Sequence, residues 1–378
     1  MRYKLTKRDF IKGMAAGLTS ASLMPWFGYS VYGDESRGDA MNDDTSYFIQ
    51  TVRGRIKPSQ LGLTLIHEHI MVDFIGADKA SKDRYDVDEV FEVMLPYLRE
   101  IKALGVTGFA ECTPMFLARD ADLLKRLSGA TDMHILTNTG LYRDQYVPKY
   151  AFDRSADELA AMWIDEIRNG IEDTGIKPGF IKIAANTGKL VPIQKKIIRA
   201  AARTSLATGT TIASHTTVGV SAVEEIDILE EEGLPLSKFI WVHASSEGNQ
   251  DLHFAAAERG AWVEYDNISK GSAQNSIQRI KNMLEKGYGD KLLLSQDAGW
   301  YHVGEPKGGN IKSFAYIIEE FVPLMKQSGI DQDTVDQLLI QNPARAMRIP
   351  IKPGKSEGVS PAGKAISTFG RTKNRLRK

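Results

Sequence analysis

Short runs of β-branched and other apolar residues alternate along most of the chain with longer stretches of 3.6-residue periodicity. The runs Leu61–His67, Thr107–Cys112, Met133–Thr139, Gly179–Ile183, Thr210–His215, Phe239–His243, Ala261–Tyr265 and Lys291–Ser295 predict eight strands. Between them, Phe91, Met94, Leu95, Leu98 and Ile101 mark one amphipathic helical face, and Val191, Ile197, Ile198 and Ala201 mark another. Eight consecutive strand-then-helix units fit an α/β fold, a single closed (β/α)8 TIM barrel, whose usual size of ~250 residues suits the span 51–349. An open, doubly wound sheet is the alternative. It is disfavoured because no Gly-x-Gly-x-x-Gly turn follows the first strand and no Gly-Lys-Ser/Thr loop occurs.

The ends depart from this alternation. Thr6-Lys7-Arg8-Asp9-Phe10-Ile11-Lys12 leads into a weakly apolar, Ala/Gly/Ser-rich stretch from Gly13 to Met24, the order of a basic n-region and an h-region. The heptapeptide resembles the twin-arginine export signal, with Lys7 at the first arginine and Ile11 at the leucine. Residues 1–33 are therefore expected to direct the chain to the periplasm or outside the cell. Residues 34–50 read as an acidic linker and 350–378 as a basic, disordered tail. The apolar run falls short of the ~20 residues that span a bilayer, so no transmembrane segment is expected in the mature chain. Lys+Arg and Asp+Glu balance at 48 each, but the first twelve residues carry a net +4 and those from 351 onward +7. The body between them carries −11, which argues against a nucleic-acid partner. Cys112, the one cysteine, has no intrachain disulfide partner.

The candidate chemistry sits where the predicted strands end, the place where a barrel builds its active site. Four of the seven histidines fall there: His67 and His69 on the first strand, His215 on the fifth and His243 on the sixth. Asp297 follows the eighth. The i, i+2 spacing of His67 and His69 sends both imidazoles to one side of a strand, unlike the helical His-Glu-x-x-His pattern. A lone histidine at a strand end is commonly structural, but four of them with an aspartate point to a metal site. His134, His253 and His302 read as non-ligands, with His302 in a loop able to touch substrate. Lys182 lies inside the apolar run Gly179–Ile183. A buried ammonium needs an anion. Either a carboxylate such as Asp297 supplies one, or the lysine has reacted with CO₂ to become a carbamate that can bridge two cations.

Thr64-Leu65-Ile66-His67-Glu68-His69, Phe180-Ile181-Lys182-Ile183-Ala184, Glu172-Asp173-Thr174-Gly175, the segment Ala201 to Gly209, and Asn342-Pro343-Ala344-Arg345 together resemble the phosphotriesterase family of the amidohydrolase superfamily. The resemblance implies a binuclear barrel enzyme. In it His67, His69 and Asp297 hold a buried divalent metal, His215 and His243 hold a more exposed one, and carbamylated (N6-carboxylated) Lys182 bridges the two with a hydroxide. Imidazole, carboxylate and carbamate suit zinc, with Mn, Co or Fe as alternatives. Two departures stand out. The family's proton relay, an aspartate after strand six and a histidine after strand seven, falls on Ser246 or Glu247 and on Asn267. Tyr142, in Thr139-Gly140-Leu141-Tyr142, is similar to the lactonase branch.

These readings imply hydrolysis of a small lactone or carboxylic ester, with Asp297, Lys182 and Tyr142 as the catalytic side chains. Asp297 is expected to carry the hydroxide proton to the leaving alkoxide. Phosphotriester hydrolysis is the alternative, and an exported ligand-binding relative without turnover a second. A homodimer is left open. The segment Gly299–Pro306 is expected either to wall the pocket or to close the barrel by packing.

Overall fold

The computed structural model describes residues 45–351. The expected export signal, most of the acidic linker and all but the first two residues of the basic tail lie outside the described residues. No helix among the described residues is long and apolar enough to cross a membrane.

The chain enters through an antiparallel hairpin, β1 (Tyr47–Thr51) and β2 (Gly54–Ile56), which also pairs with the last strand of the described chain, Ile349–Pro350. The barrel strands follow in order: β3 (Thr64–Val72), β4 (Gly108–Glu111), β5 (His134–Leu136), β6 (Asn138–Thr139), β7 (Phe180–Ala184), β8 (Ile212–His215), β9 (Phe239–Val242), β10 (Trp262–Tyr265) and β11 (Leu292–Leu294). All neighbouring pairs are parallel. β5 and β6 are one barrel strand broken at Thr137, so the predicted Met133–Thr139 is split. β11 forms no ladder with β3. The ring is completed by single bonds instead: Asp297 N–H donates to the His67 carbonyl at 3.2 Å and His69 N–H to that of Ala298 at 2.9 Å. The chain is thus a (β/α)8 TIM barrel, as the alternation predicts.

The first barrel strand differs most from expectation. It starts three residues later than predicted and runs on to Val72, because β12 (Gly299–His302) pairs with its upper half, Gly299 opposite His69. His67 and His69 therefore lie within the strand. Its register against β4 is irregular between Leu65 and Glu68. Ile66 belongs to the barrel-interior cluster with Phe180, Ala213, Ile240 and Leu293, and strict alternation would turn His67 outward. The irregularity shifts the phase, so His67 and His69 face inward above Ile66, the known use of a bulge beside a site.

Helices cover the outside. α1 (Val87–Ala103) starts at Asp86, whose carboxylate accepts from the Asp88 and Glu89 amides. It buries Met94, Leu95, Leu98 and Ile101, while Phe91 is half-buried. α2 (Ala121–Thr131), α3 (Ala156–Asn169), α4 (Pro192–Thr208), α5 (Gly219–Glu231), α6 (Gln250–Glu258) and α7 (Ala273–Glu285) follow their strands in turn. Ile197, Ile198 and Ala201 line the buried face of α4 as predicted, but Val191 is its exposed N-cap, because Pro192 fixes the first helical position. Two helical segments, Ile317–Gln327 and Gln332–Met347, complete the eighth unit. There the Asn342 side-chain amide donates to the carbonyls of Gly289 and Leu292 and anchors the segment to β11.

Candidate metal centre

At the C-terminal ends of the strands His67, His69, Lys182, His215, His243 and Asp297 line one small cavity, joined by Val72, Phe74, Pro114, Leu117, Tyr142 and Trp300. Its water-accessible volume is about 30 Å³. The polar floor is nearly out of solvent: Lys182 is 1% exposed and His67 likewise.

Every imidazole is held by Nδ1. His67 Nδ1 lies 2.7 Å from Glu264 and 3.1 Å from Asp266. His243 Nδ1 lies 2.9 Å from the same Asp266 oxygen. His69 Nδ1 lies 2.8 Å from the Thr113 hydroxyl, which donates onward to the Met71 carbonyl and so must accept from the ring. His215 Nδ1 lies 3.0 Å from the Tyr142 hydroxyl. With Nδ1 as the donor, each ring turns an Nε2 lone pair to the interior, the arrangement that outer partners impose on metal-ligating histidines.

Burial pushes the His67 pKa down to about 3, helped by the Lys182 charge, and burial likewise lowers His69 and His215. These three rings are therefore neutral near pH 7, with the lone pair free. The buried His215 Nε2 finds no hydrogen-bond partner. Neither does Asp297 Oδ1, although it stands 3.1 Å from His69 Nε2 and 3.9 Å from His67 Nε2. Burial alone would raise the Asp297 pKa, but the His69 contact and the charges of His67 and His69 hold it well below the usual range. A carboxylate oxygen facing lone pairs at that distance is repulsive unless a cation lies between them. His67, His69 and Asp297 form one group able to hold a metal ion. His67, His243 and Asp266 form another by distance, but there the histidine atoms nearest Asp266 are the Nδ1 donors, so Asp266 acts as their acceptor.

A model of the phosphotriesterase family matches residues 47–347. The chain belongs to the phosphotriesterase family. The phosphotriesterase homology protein of Escherichia coli K12 is 29% identical over 75% of this chain and 97% of its own length. The aryldialkylphosphatase of Saccharolobus solfataricus is 28% identical over 77% and 96%. The N-acetyltaurine hydrolase of Danio rerio is 27% identical over 79% and 97%. The family is one that binds metal, and the His and Asp groups of this member can hold it.

Against the phosphotriesterase pattern, the expected relay positions do not reach the cavity. Ser246 and Asn267 are exposed. Glu247 turns away to accept from the Gly219 and Asn249 amides, because the tight turn after β9 needs its own caps. What stands behind the histidines is a buried acid pair on β10 and just beyond it, Glu264 and Asp266. Burial and the Asp266 charge push Glu264 up; burial also opposes ionisation of Asp266, but the His243 and His67 contacts outweigh it and hold its pKa low. The sequence reading missed this pair. The signal was present, since two acids at i, i+2 in an apolar strand are as conspicuous as Lys182.

Glu68 was missed too. It points away from its histidine neighbours and accepts from Ser295 Oγ and the amides of Gln296 and Ala298, which fixes the segment carrying Asp297. Three residues here hold left-handed backbones without being glycine: His243 (φ 63°), Asp297 (φ 50°) and Trp300 (φ 77°). Such strain is concentrated at functional sites. Trp300 lies 4.6 Å from His69 between ring centroids and its indole N–H donates to the Asp297 carbonyl. The Gly299–Pro306 segment thus both closes the barrel, through β12, and walls the cavity. Gly299 is required there, because a Cβ would strike the His69 carbonyl oxygen. His302 is the last residue of β12 rather than a loop residue, and its ring stacks with Trp300. His253 is buried against Tyr265 and His134 begins β5, both away from the cavity.

Proposed function

We propose that this chain is a binuclear metal-dependent hydrolase that opens a lactone or cleaves a small carboxylic ester. The observation that carries it is the convergence of the unpartnered Asp297 Oδ1 and His215 Nε2 with three further imidazole lone pairs at the end of a barrel. His67, His69 and Asp297 are assigned to a buried divalent ion, and His215 and His243 to a more exposed one, with zinc the preferred metal. Lys182 Nζ sits 3.5 Å from His67 Nε2 and forms no ion pair among the described residues, not even with Asp297. That favours a carbamate on Lys182 as the bridge over a simple ammonium–carboxylate pair. Bound there, two ions supply a hydroxide nucleophile and an electrophilic contact for the substrate oxygen.

The protein's own groups do the rest. Asp297, ionised and within the cluster, would accept the proton of the attacking water-derived nucleophile and return it to the departing alkoxide. Tyr142 accepts from His215 Nδ1–H, so its own hydroxyl proton is free to hydrogen-bond the leaving oxygen. Burial raises the Tyr142 pKa, which keeps that proton in place at neutral pH. Val72, Phe74, Leu117 and Trp300 make the walls apolar, suited to the body of an uncharged ester bond. A relative named for hydrolysing N-acetyltaurine favours attack at an acyl carbon. The aryldialkylphosphatase relative supports the competing reading, attack at phosphorus.

Kinetics of metal-loaded protein on a panel of lactones, aryl esters and aryl phosphotriesters decides between them. We expect kcat/KM for the best lactone to exceed that for the best phosphotriester about tenfold, or ~1.4 kcal/mol. Tyr142→Phe should reduce lactone turnover more than phosphotriester turnover. Faster phosphotriester cleavage by the wild type, or equal losses in the variant, overturns the assignment.

A further inference from the structure

We infer that the substrate of this site carries a carboxylate in addition to the bond that is cleaved, and that Arg143 reads it. The inference rests on the hydrolytic reading above and names its substrate class.

Several arginines of the barrel are neutralised by close carboxylates. Arg119 makes two 2.9 Å bonds to Glu166, Arg203 is held by Glu232 and Asp157, and Arg259 by Asp227 and Glu230. Arg143 is different. Its nearest carboxylate is that of the adjacent Asp144, at 4.0 Å and itself half exposed, and its hydrogen bond to the Ala185 carbonyl is long, 3.4 Å. Yet the side chain is only 24% exposed. A guanidinium has five N–H donors in a planar fork; one faces the Ala185 carbonyl and one the Tyr142 hydroxyl, and the others are left over.

Their position matters. Arg143 follows Tyr142 directly, and its guanidinium carbon lies 5.8 Å from the Tyr142 ring centroid. The hydroxyl of that ring is on His215. The tether to Ala185, just past β7, keeps the guanidinium near His215, whose carbonyl accepts from the Ala185 amide at 2.9 Å. On another side Lys312 Nζ lies 5.9 Å from the Trp300 ring and forms no ion pair among the described residues. Two cations with little counter-charge thus stand beside Tyr142 and Trp300, two of the rings that line the cavity. A substrate with an apolar middle, an ester or lactone bond over the histidines and a planar carboxylate at its outer end satisfies all three features. The fork of Arg143 matches a carboxylate bidentately, which a neutral ester cannot exploit.

The test compares monomethyl glutarate with dimethyl glutarate, which share the acyl chain and scissile bond but differ in charge. The wild type should prefer the monoester by tenfold or more in kcat/KM, chiefly through KM. Arg143→Gln should lower the monoester at least tenfold and the diester much less, and Arg143→Lys should restore part of the difference. A wild-type preference for the diester, or equal losses on both esters, overturns the inference. If neither ester is cleaved, the hydrolytic reading stands or falls on the lactone panel, and calorimetry with glutarate on the metal-loaded protein decides the inference. Tenfold weaker glutarate binding by Arg143→Gln upholds the inference, and equal affinity overturns it.

Discussion

Asp266 gives the sharpest quantitative expectation. One of its oxygens accepts from His67 Nδ1 at 3.1 Å, from His243 Nδ1 at 2.9 Å and from the His243 amide at 2.8 Å. It thereby ties together histidines from β3 and β9 that are assigned to different ions, and it holds the left-handed backbone of His243. Asp266→Asn keeps the shape but removes the charge. Hydrogen bonds to a charged group are worth about 1.5–3 kcal/mol against ~1 for a neutral one. The loss per imidazole is then about 0.5–2 kcal/mol. Loss of such an outer partner lowers metal affinity about 10–100-fold, or ~1.4–2.7 kcal/mol, which overlaps the upper part of that range. Because a single oxygen serves both rings, both binding steps should weaken together. Titration of metal-free protein in competition with a chromophoric chelator resolves the two steps. Glu247→Gln is the control: it occupies an expected relay position, yet its carboxylate caps backbone amides away from the cavity, so it should leave both affinities unchanged. Unchanged affinity in Asp266→Asn, weakening of one step alone, or equal effects of the two variants would refute the reasoning.

Two further outcomes follow from the same geometry. Lys182→Ala should retain one equivalent of metal at most and lose most activity, with partial rescue by a short carboxylic acid; elemental analysis showing unchanged metal content would make the lysine purely structural. Glu225 on α5 is buried against the hydroxyls of Ser214 and Thr216, and burial pushes its pKa up to about 7. The folded state therefore holds its proton more tightly than the unfolded one, so its contribution is full below pH ~4.5 and is lost as pH rises to about 7, on the order of 3 kcal/mol. Glu225→Gln should flatten that part of the stability–pH curve of the metal-free protein, and an unaltered slope in chemical denaturation would remove Glu225 as its source.

The barrel was legible because its information is periodic. Phe180 faces the interior cluster and Ile181 and Ile183 the helix layer, so one buried strand carries both faces of the architecture in a few residues. Where the reading slipped, a local irregularity had overridden the period. The bulge in β3 turns His67 inward beside Ile66, and nothing in Thr64–His69 announces it. Thr137 interrupts the third strand although the sequence there continues a strand pattern. Val191 fits the helical period of α4 but precedes it, since the proline after it sets where the helix begins.

The candidate site divides along a different line. His67, His69, His215, His243, Lys182 and Asp297 could be picked out because each is a chemically unusual residue at a place where a barrel strand ends. Their partners were harder to see, because pairing across the barrel has no sequence spacing: Glu264 and Asp266 reach His67 from nearly two hundred positions away. Searching next to His243 for the missing relay aspartate therefore led to Ser246 and Glu247, while the acid that touches His243 follows a different strand. Glu68, Glu111, Glu264 and Asp266 are all buried near Asp297, with Lys182 as the one buried ammonium among them. Burial, outweighing the hydrogen bonds they accept, pushes Glu68 and Glu111 up to about 8. With Glu68, Glu111 and Glu264 holding their protons, two ionised carboxylates, Asp266 and Asp297, stand among neutral imidazoles, and the free imidazole lone pairs with the unpartnered Asp297 Oδ1 are what a cation would complete.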